Sequence, residues 1–139
     1  MITVPPVPGR VIVNVDGGAR GNPGPAAIAA VATDPSGEVL AERSETIGET
    51  TNNVAEYRAM LLGIGLAKEL GADEVELYGD STLIVNQVKG DWKVKQAHLR
   101  PLRTRVVDEL RGLPKWSIGS VPREQNEHAD ALVNAALDA

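Results

Sequence analysis

The chain has 139 residues, room for one compact domain and not for a second of ordinary size. It carries no cysteine, which excludes disulfides, thiolate chemistry and Cys-based zinc sites. The net charge of -5 argues against a nucleic-acid partner on its face, but its distribution does not: Lys89, Lys93, Lys95, Arg100, Arg103 and Arg105 fall in one segment whose only acid is Asp91.

Residues 1–9, with three prolines and a glycine, read as a loose arm ahead of a domain spanning 10–139. Arg10 to Asp16 is β-branched and alternating and runs into Gly17-Gly18, a strand entering a turn. Pro25 to Thr33 is a second strand ending at the turn Asp34-Pro35-Ser36-Gly37, and Glu38 to Ile47 returns as a third. Thr50 to Leu70 has helical spacing, with Thr51 or Asn52 as cap and Gly71 closing it. Its apolar residues surround most of the circumference, so it is expected to be buried on more than one side. Glu74 to Gly79 is a fourth strand. Ser81 caps a second helix to Val88, and Leu99, Leu102, Val106, Leu110 and Leu113 stripe a third. Lys115 to Val121 is a fifth strand, and Asn126 to Leu137 is a closing helix with Ala129, Leu132, Val133 and Ala136 inward.

The resulting order, β-β-β-α-β-α-α-β-α, implies an α/β mixed sheet with helices on its faces. Apolar residues make up 42% of the chain but aromatics only 3%, so the core is built from Val, Ile, Leu and Ala. No apolar run reaches the roughly 20 residues that span a bilayer, and the first residues lack the charge-then-apolar pattern of a signal peptide. A cytoplasmic location with no membrane partner is expected.

Asp16 ends the first strand and Asp80 follows the fourth. If those strands are parallel neighbours, both carboxylates emerge at the edge where open α/β sheets place ligands. Glu56 and Asp130 lie in the first turns of helices that can return to that edge. Four converging acids repel and take up protons unless cations cancel their charge. Hard divalent ions suit an oxygen-only site, and two Mg²⁺ about 4 Å apart would activate a water and steady the leaving oxygen of a phosphodiester. With only His98 and His128 available, no Ser–His–Asp arrangement competes. Each acid also has a plain structural reading: Asp16-Gly17-Gly18 as a turn, Asp80-Ser81 as a helix cap.

Four local motifs add to this. They are Asp16-Gly17-Gly18-Ala19-Arg20-Gly21-Asn22-Pro23-Gly24-Pro25, Thr51-Asn52-Asn53-Val54-Ala55-Glu56, Tyr78-Gly79-Asp80-Ser81 and Asn126-Glu127-His128-Ala129-Asp130. In this order, and covering residues 10 to 137, they resemble the blocks of type 1 ribonuclease H. The resemblance implies a ribonuclease H-like fold, five strands in order 3-2-1-4-5. It implies that Asp16, Glu56, Asp80 and Asp130 are catalytic and hold two Mg²⁺ or Mn²⁺ ions. It implies a monomeric endoribonuclease that cuts the RNA strand of RNA–DNA hybrids, leaving 5′-phosphate and 3′-hydroxyl ends.

Asn22 and Asn52 match positions that contact the RNA near its 2′-hydroxyls, with the Gly17 backbone beside them, and Thr51 matches a DNA-phosphate contact. Asn22 also reads as a turn residue before Pro23, and Asn52 as a helix cap. Asn126 matches the Asn four residues before the last aspartate and joins the expected substrate contacts. Two departures stand out. A lysine-rich protrusion found in some members is replaced by the short run Lys89–Lys95, where Trp92, Lys93 and Lys95 are expected to touch the substrate backbone; Trp92 reads equally as core filler. A mobile histidine found in many members about ten residues before the last aspartate is missing, with Arg123 as a stand-in.

Rival readings are an ATP-using domain of the actin and sugar-kinase type, which needs glycine-rich phosphate loops absent here, and a hybrid-binding module without catalysis. Some relatives of this kind are the front half of a fusion with a phosphatase-like domain, so a fused C-terminal domain is a further expectation.

Overall fold

The computed structural model describes residues 9–139. The expected arm therefore lies outside the described residues except for Gly9. The Gly9 carbonyl accepts from the Asp73 and Glu74 amides at 2.9 and 2.7 Å, so Gly9 belongs to the domain rather than to the arm.

Five strands, β1 (Arg10–Ala19), β2 (Gly24–Thr33), β3 (Val39–Thr50), β4 (Glu74–Gly79) and β5 (Lys115–Ser120), form one sheet in the order β3-β2-β1-β4-β5. The two hairpins are antiparallel, and β1–β4 and β4–β5 are parallel. The helices are α1 (Asn52–Glu69), α2 (Thr82–Lys89), α3 (Arg100–Arg111) and α4 (Glu127–Asp138). The mixed sheet and its order match the expectation.

Strand β1 runs past Asp16, where a turn was expected. Gly17, Gly18 and Ala19 keep pairing with Ile28, Ala27 and Ala26, so the chain reverses only at Arg20–Pro23. Gly17-Gly18 read as a turn because glycine punctuates chains; here Gly17 serves close packing. A Cβ on Gly17 would lie 2.3 Å from the Ala55 carbonyl oxygen, and one on Gly63 would lie 2.5 Å from Val15 Cγ1. These two bare α-carbons let α1 press its backbone against β1 at two points. Strand β3 likewise outlasts its expected end at Ile47 and reaches Thr50.

The main core lies between the sheet and α1, with Val11, Val13, Val15, Val75 and Leu77 from the strands against Tyr57, Met60 and Ile64. Helix α3 closes over α1 through Val106 and Leu110, which accounts for α1 being apolar on more than one side. On the opposite face α4 covers a smaller cluster, Ala27, Ala29 and Val133. Strand β2 is thus buried on both faces, and its sequence GPAAIAAVAT accordingly lacks polar alternation.

The starts of α1 and α2 are fixed by short side chains. Thr51, not Asn52, caps α1, its hydroxyl accepting from the Val54 amide at 3.3 Å, and Ser81 caps α2 by accepting from Ile84 at 3.3 Å. No helix among the described residues is long and apolar enough to cross a membrane.

Gly63→Ala should destabilise the domain although alanine is the better helix former. Overpacking a filled core costs about 1–3 kcal/mol against a propensity gain of about 1 kcal/mol. Equilibrium urea unfolding measures the difference, and a gain in stability would contradict the close α1–β1 contact.

Candidate active site

The parallel register decides where the first two acids emerge. Asn14 on β1 pairs with Tyr78 on β4, and each strand then advances two residues, to Asp16 and to Asp80. Both carboxylates therefore leave the sheet at the same level. Glu56 comes from the second turn of α1, exactly where the bare Gly17 admits that helix, and its Oε1 accepts from the Gly17 amide at 3.1 Å. Asp16, Glu56 and Asp80 each offer an oxygen within 4.8 Å of the others. Asp130, from the first turn of α4, lines the same open cleft of 430 Å³ and lies against Asp16.

The charges are poorly compensated. No Lys or Arg nitrogen lies within 4.0 Å of any of the four acids among the described residues. Burial first, then the charges of Asp80 and Asp130, push the Asp16 carboxyl from its usual 3.8 up to about 7, against a favourable contact from Glu56. Glu56 is raised well above the ordinary glutamate range by burial and by Asp16 and Asp80, with only the Gly17 amide opposing. Buried, oxygen-only and short of positive charge, this donor set fits a hard divalent cation. Asp16, Glu56 and Asp80 would hold it, with Asp130 at the margin.

Asn126 requires a correction. It is 2% exposed, and its amide is spent inside the protein rather than left open to the cleft. Its Nδ2 donates to the Val15 carbonyl at 2.9 Å and to Asp80 Oδ2 at 3.5 Å, while its Oδ1 accepts from Asn14 Nδ2 at 3.2 Å. It ties the entry of α4 to the β1 and β4 ends, which positions Asp80. Gly17 lines the cleft, with its amide spent on Glu56 and its α-carbon covered by Ala55.

Of the other expected residues, Asn52 and Arg123 line the cleft, whereas Asn22 and Thr51 lie outside its lining. Asn22 Oδ1 accepts from the Asn52 amide at 3.0 Å, and Asn52 Oδ1 accepts from the Ala19 amide at 2.8 Å. Each amide thereby anchors a backbone with its oxygen and keeps its NH₂ unspent among the described residues. Asn52 is therefore a brace between hairpin and helix rather than the cap. Thr51 spends its hydroxyl oxygen on capping but retains its donor. Arg123 lines the acid cleft from a 3-10 turn just before α4.

Trp92 is 49% exposed, which removes the core-filler reading. With Lys93, Lys95, Leu83 and Gln96 it lines a second cavity of 570 Å³, and Asn53 lines both this cavity and the acid cleft. His128 pairs with Glu42 at 2.8 Å on the surface, as expected of a helix-surface residue.

Sequence reasoning missed Asn14 and Asn134. Asn14 shares a strand face with Asp16 two residues on, a signal present in the alternation of β1. Asn134 Nδ2 donates to Asp130 Oδ2 at 3.4 Å, one helical turn away.

An acid cluster at the carboxyl edge of two parallel strands in a 3-2-1-4-5 sheet defines a class of domain built for divalent-metal chemistry. A family model described as reverse transcriptase-like matches residues 14–136. Ribonuclease HI of Halobacterium salinarum is 47% identical over 94% of this chain and 65% of its own length. The crystal structure of RNase H1 from that archaeon superposes with a TM-score of 0.90 at 46% identity, covering 93% of this chain and 98% of that one. A bifunctional protein of Mycobacterium tuberculosis is 44% identical over 94% of this chain but only 36% of its own length. LC11-RNase H1, solved in complex with an RNA/DNA hybrid, gives a TM-score of 0.87 at 44% identity over 92% of this chain and 96% of its own. The chain belongs to the type 1 ribonuclease H family. It spans about two thirds of the length of the archaeal relative and about a third of the mycobacterial one.

The raised Asp16 carboxyl makes metal and pH interdependent. Its contribution to stability is complete below the unfolded value near 3.8 and is lost as pH rises through about 7, because ionised Asp16 is penalised only in the fold. A bound divalent cation removes that penalty. Calorimetry should therefore show Mg²⁺ raising Tm more at about pH 8 than at about pH 5. Equal shifts would place the cation elsewhere.

Asn126→Ala should lower stability by about 1–3 kcal/mol, since it leaves buried polar partners unpaired. It should also weaken Mg²⁺ binding by about 10-fold or more through the freed Asp80. Chemical denaturation and calorimetric titration read the two effects, and unchanged metal affinity would deny Asn126 its positioning role.

Proposed function

We propose that this domain hydrolyses the RNA strand of RNA–DNA hybrids, using two Mg²⁺ or Mn²⁺ ions and leaving 5′-phosphate and 3′-hydroxyl ends. The observation that carries the reading is the convergence of Asp16, Glu56 and Asp80 within 4.8 Å, with Asp130 beside them. Ribonuclease H enzymes use divalent metal, and the hybrid held by LC11-RNase H1 supports the choice of substrate.

Asp16, Glu56, Asp80 and Asp130 would hold the ions, whose chemistry would be activation of a water near neutral pH and compensation of charge on the leaving oxygen. The rest is binding and orientation by the chain itself. The unspent amide donors of Asn22 and Asn52 meet acceptors along the RNA strand, including the 2′-hydroxyl that separates RNA from DNA. Thr51 donates to a phosphate of the DNA strand. Trp92, Lys93 and Lys95 take the backbone further along the surface that Asn53 makes continuous with the acid cleft.

Arg123 supplies positive charge where the family's mobile histidine is missing. A guanidinium does not release its proton at working pH, so Arg123 serves charge and product release rather than proton transfer. In this reading the domain acts as a monomer in the cytoplasm.

An end-labelled hybrid incubated with Mg²⁺, Mn²⁺ or EDTA tests this, beside single-stranded RNA and duplex DNA. Only the RNA of the hybrid should be cut, and only with metal. Asp80→Asn should reduce the rate by more than about 100-fold, beyond the effect of losing an outer partner of a metal ligand. Hybrid binding without cutting by the unaltered protein would make it a silent binding module instead.

A further inference from the structure

The connection from α2 to α3 presents Trp92, Lys93 and Lys95 as exposed side chains. A surface loop of this kind ordinarily leaves its backbone to water and moves freely. This one is tied down almost residue by residue. The Asp91 and Trp92 amides both donate to the Asn86 carbonyl, at 3.0 and 3.2 Å, and Arg100 Nε donates to the Val94 carbonyl at 3.1 Å.

Gln87 stands at the centre of these ties and is only 5% exposed. Its Nε2 donates to the Lys93 carbonyl at 3.4 Å. Its Oε1 accepts from the Tyr57 hydroxyl at 2.6 Å, and its backbone carbonyl accepts from Arg103 Nε at 2.9 Å. Tyr57 is fully buried and directly follows Glu56 on α1. One glutamine thus joins the helix that carries an acid of the site, the loop that carries the cations, and α3. A glutamine is seldom buried unless its amide is paired, and here each end of the amide meets a different element.

We infer that Gln87 is a positioning residue for hybrid binding, holding the Trp92–Lys95 face at a set offset from the carboxylates through Tyr57 and the Lys93 carbonyl. The inference rests on the proposed hybrid substrate for what the loop binds, but not for the loop's rigidity. A loop ordered before binding loses less conformational freedom on binding, so two lysines and one indole hold a duplex backbone more tightly than the same groups on a mobile loop. This is how a short connection does the work of a larger basic element.

Two variants separate this role from a merely structural one. Gln87→Glu keeps the size and the acceptor for Tyr57 but removes the donor to Lys93. Tyr57→Phe deletes one oxygen and frees the glutamine amide. Both are made in a Trp116→Phe background, so that Trp92 is the sole indole of the two in the chain.

Gln87→Glu should raise KM for the hybrid about three- to ten-fold, the worth of one such bond, with kcat within about two-fold. Tyr57→Phe should move KM the same way by less, and in both variants the fluorescence anisotropy of Trp92 in the free protein should fall. Unchanged KM and anisotropy in either folded variant would overturn the inference, and so would a loss confined to kcat, which would assign the effect to Glu56. If the unaltered protein cuts and binds no hybrid, the functional reading fails on its own, while Trp92 anisotropy still decides whether Gln87 restrains the loop.

Discussion

Carboxylates held together in a desolvated cleft repel one another, and most of this domain is arranged to hold them there regardless. Asp16, Glu56 and Asp80 come from three separate elements and meet within 4.8 Å. The cost is visible in the raised carboxyls of Asp16 and Glu56. It is borne by the hydrophobic closure of α1 on β1, which is itself allowed by Gly17, where the helix backbone meets the strand, and by Gly63, which makes room for the Val13 and Val15 side chains. Divalent cations bound among the carboxylates would relieve that repulsion, which would link metal binding to the stability of the fold.

The supports around the acids divide into two groups by what they do. Asn126, Asn14 and Gly17 are buried or spend their donors inside the protein, and they set the geometry of the acids. Asn22 and Asn52 turn their oxygens inward to brace the hairpin against α1 and keep their donors at the surface. The same residue type thus spends its NH₂ inside the protein in one place and keeps it free in another. What separates them is whether the NH₂ or only the oxygen is consumed.

Charge is partitioned in a similar way. The net charge of -5 coexists with a cationic segment, and the two cavities reflect that split. One is lined by the four acids and the other by Trp92, Lys93 and Lys95, with Asn53 common to both. Under the proposed function, a polyanion bound across them would meet positive charge at its backbone and, at the point of reaction, acids that need metal before they can approach a phosphate.

Much was legible in the chain itself. The element order, the mixed sheet and the cap at Ser81 follow from local pattern, because periodicity and turn residues are local signals. The cap of α1 stayed open between Thr51 and Asn52, and the four acids stood out as a set through motifs that resemble a family. The buried α1 was legible too, since a helix apolar all round needs more than one neighbour. Gly17 and Asn126 were misjudged for one reason. A glycine in a turn-like pair and an asparagine beside an aspartate look the same in sequence whether they face solvent or another backbone. Only the tertiary structure decides that, by bringing Ala55 onto Gly17 and Val15 under Asn126 across 38 and 111 residues of chain. Gln87 is the same case: nothing near it in sequence announces Tyr57. Local chemistry chose which residues are present, and long-range packing determined which of their atoms remain free to act.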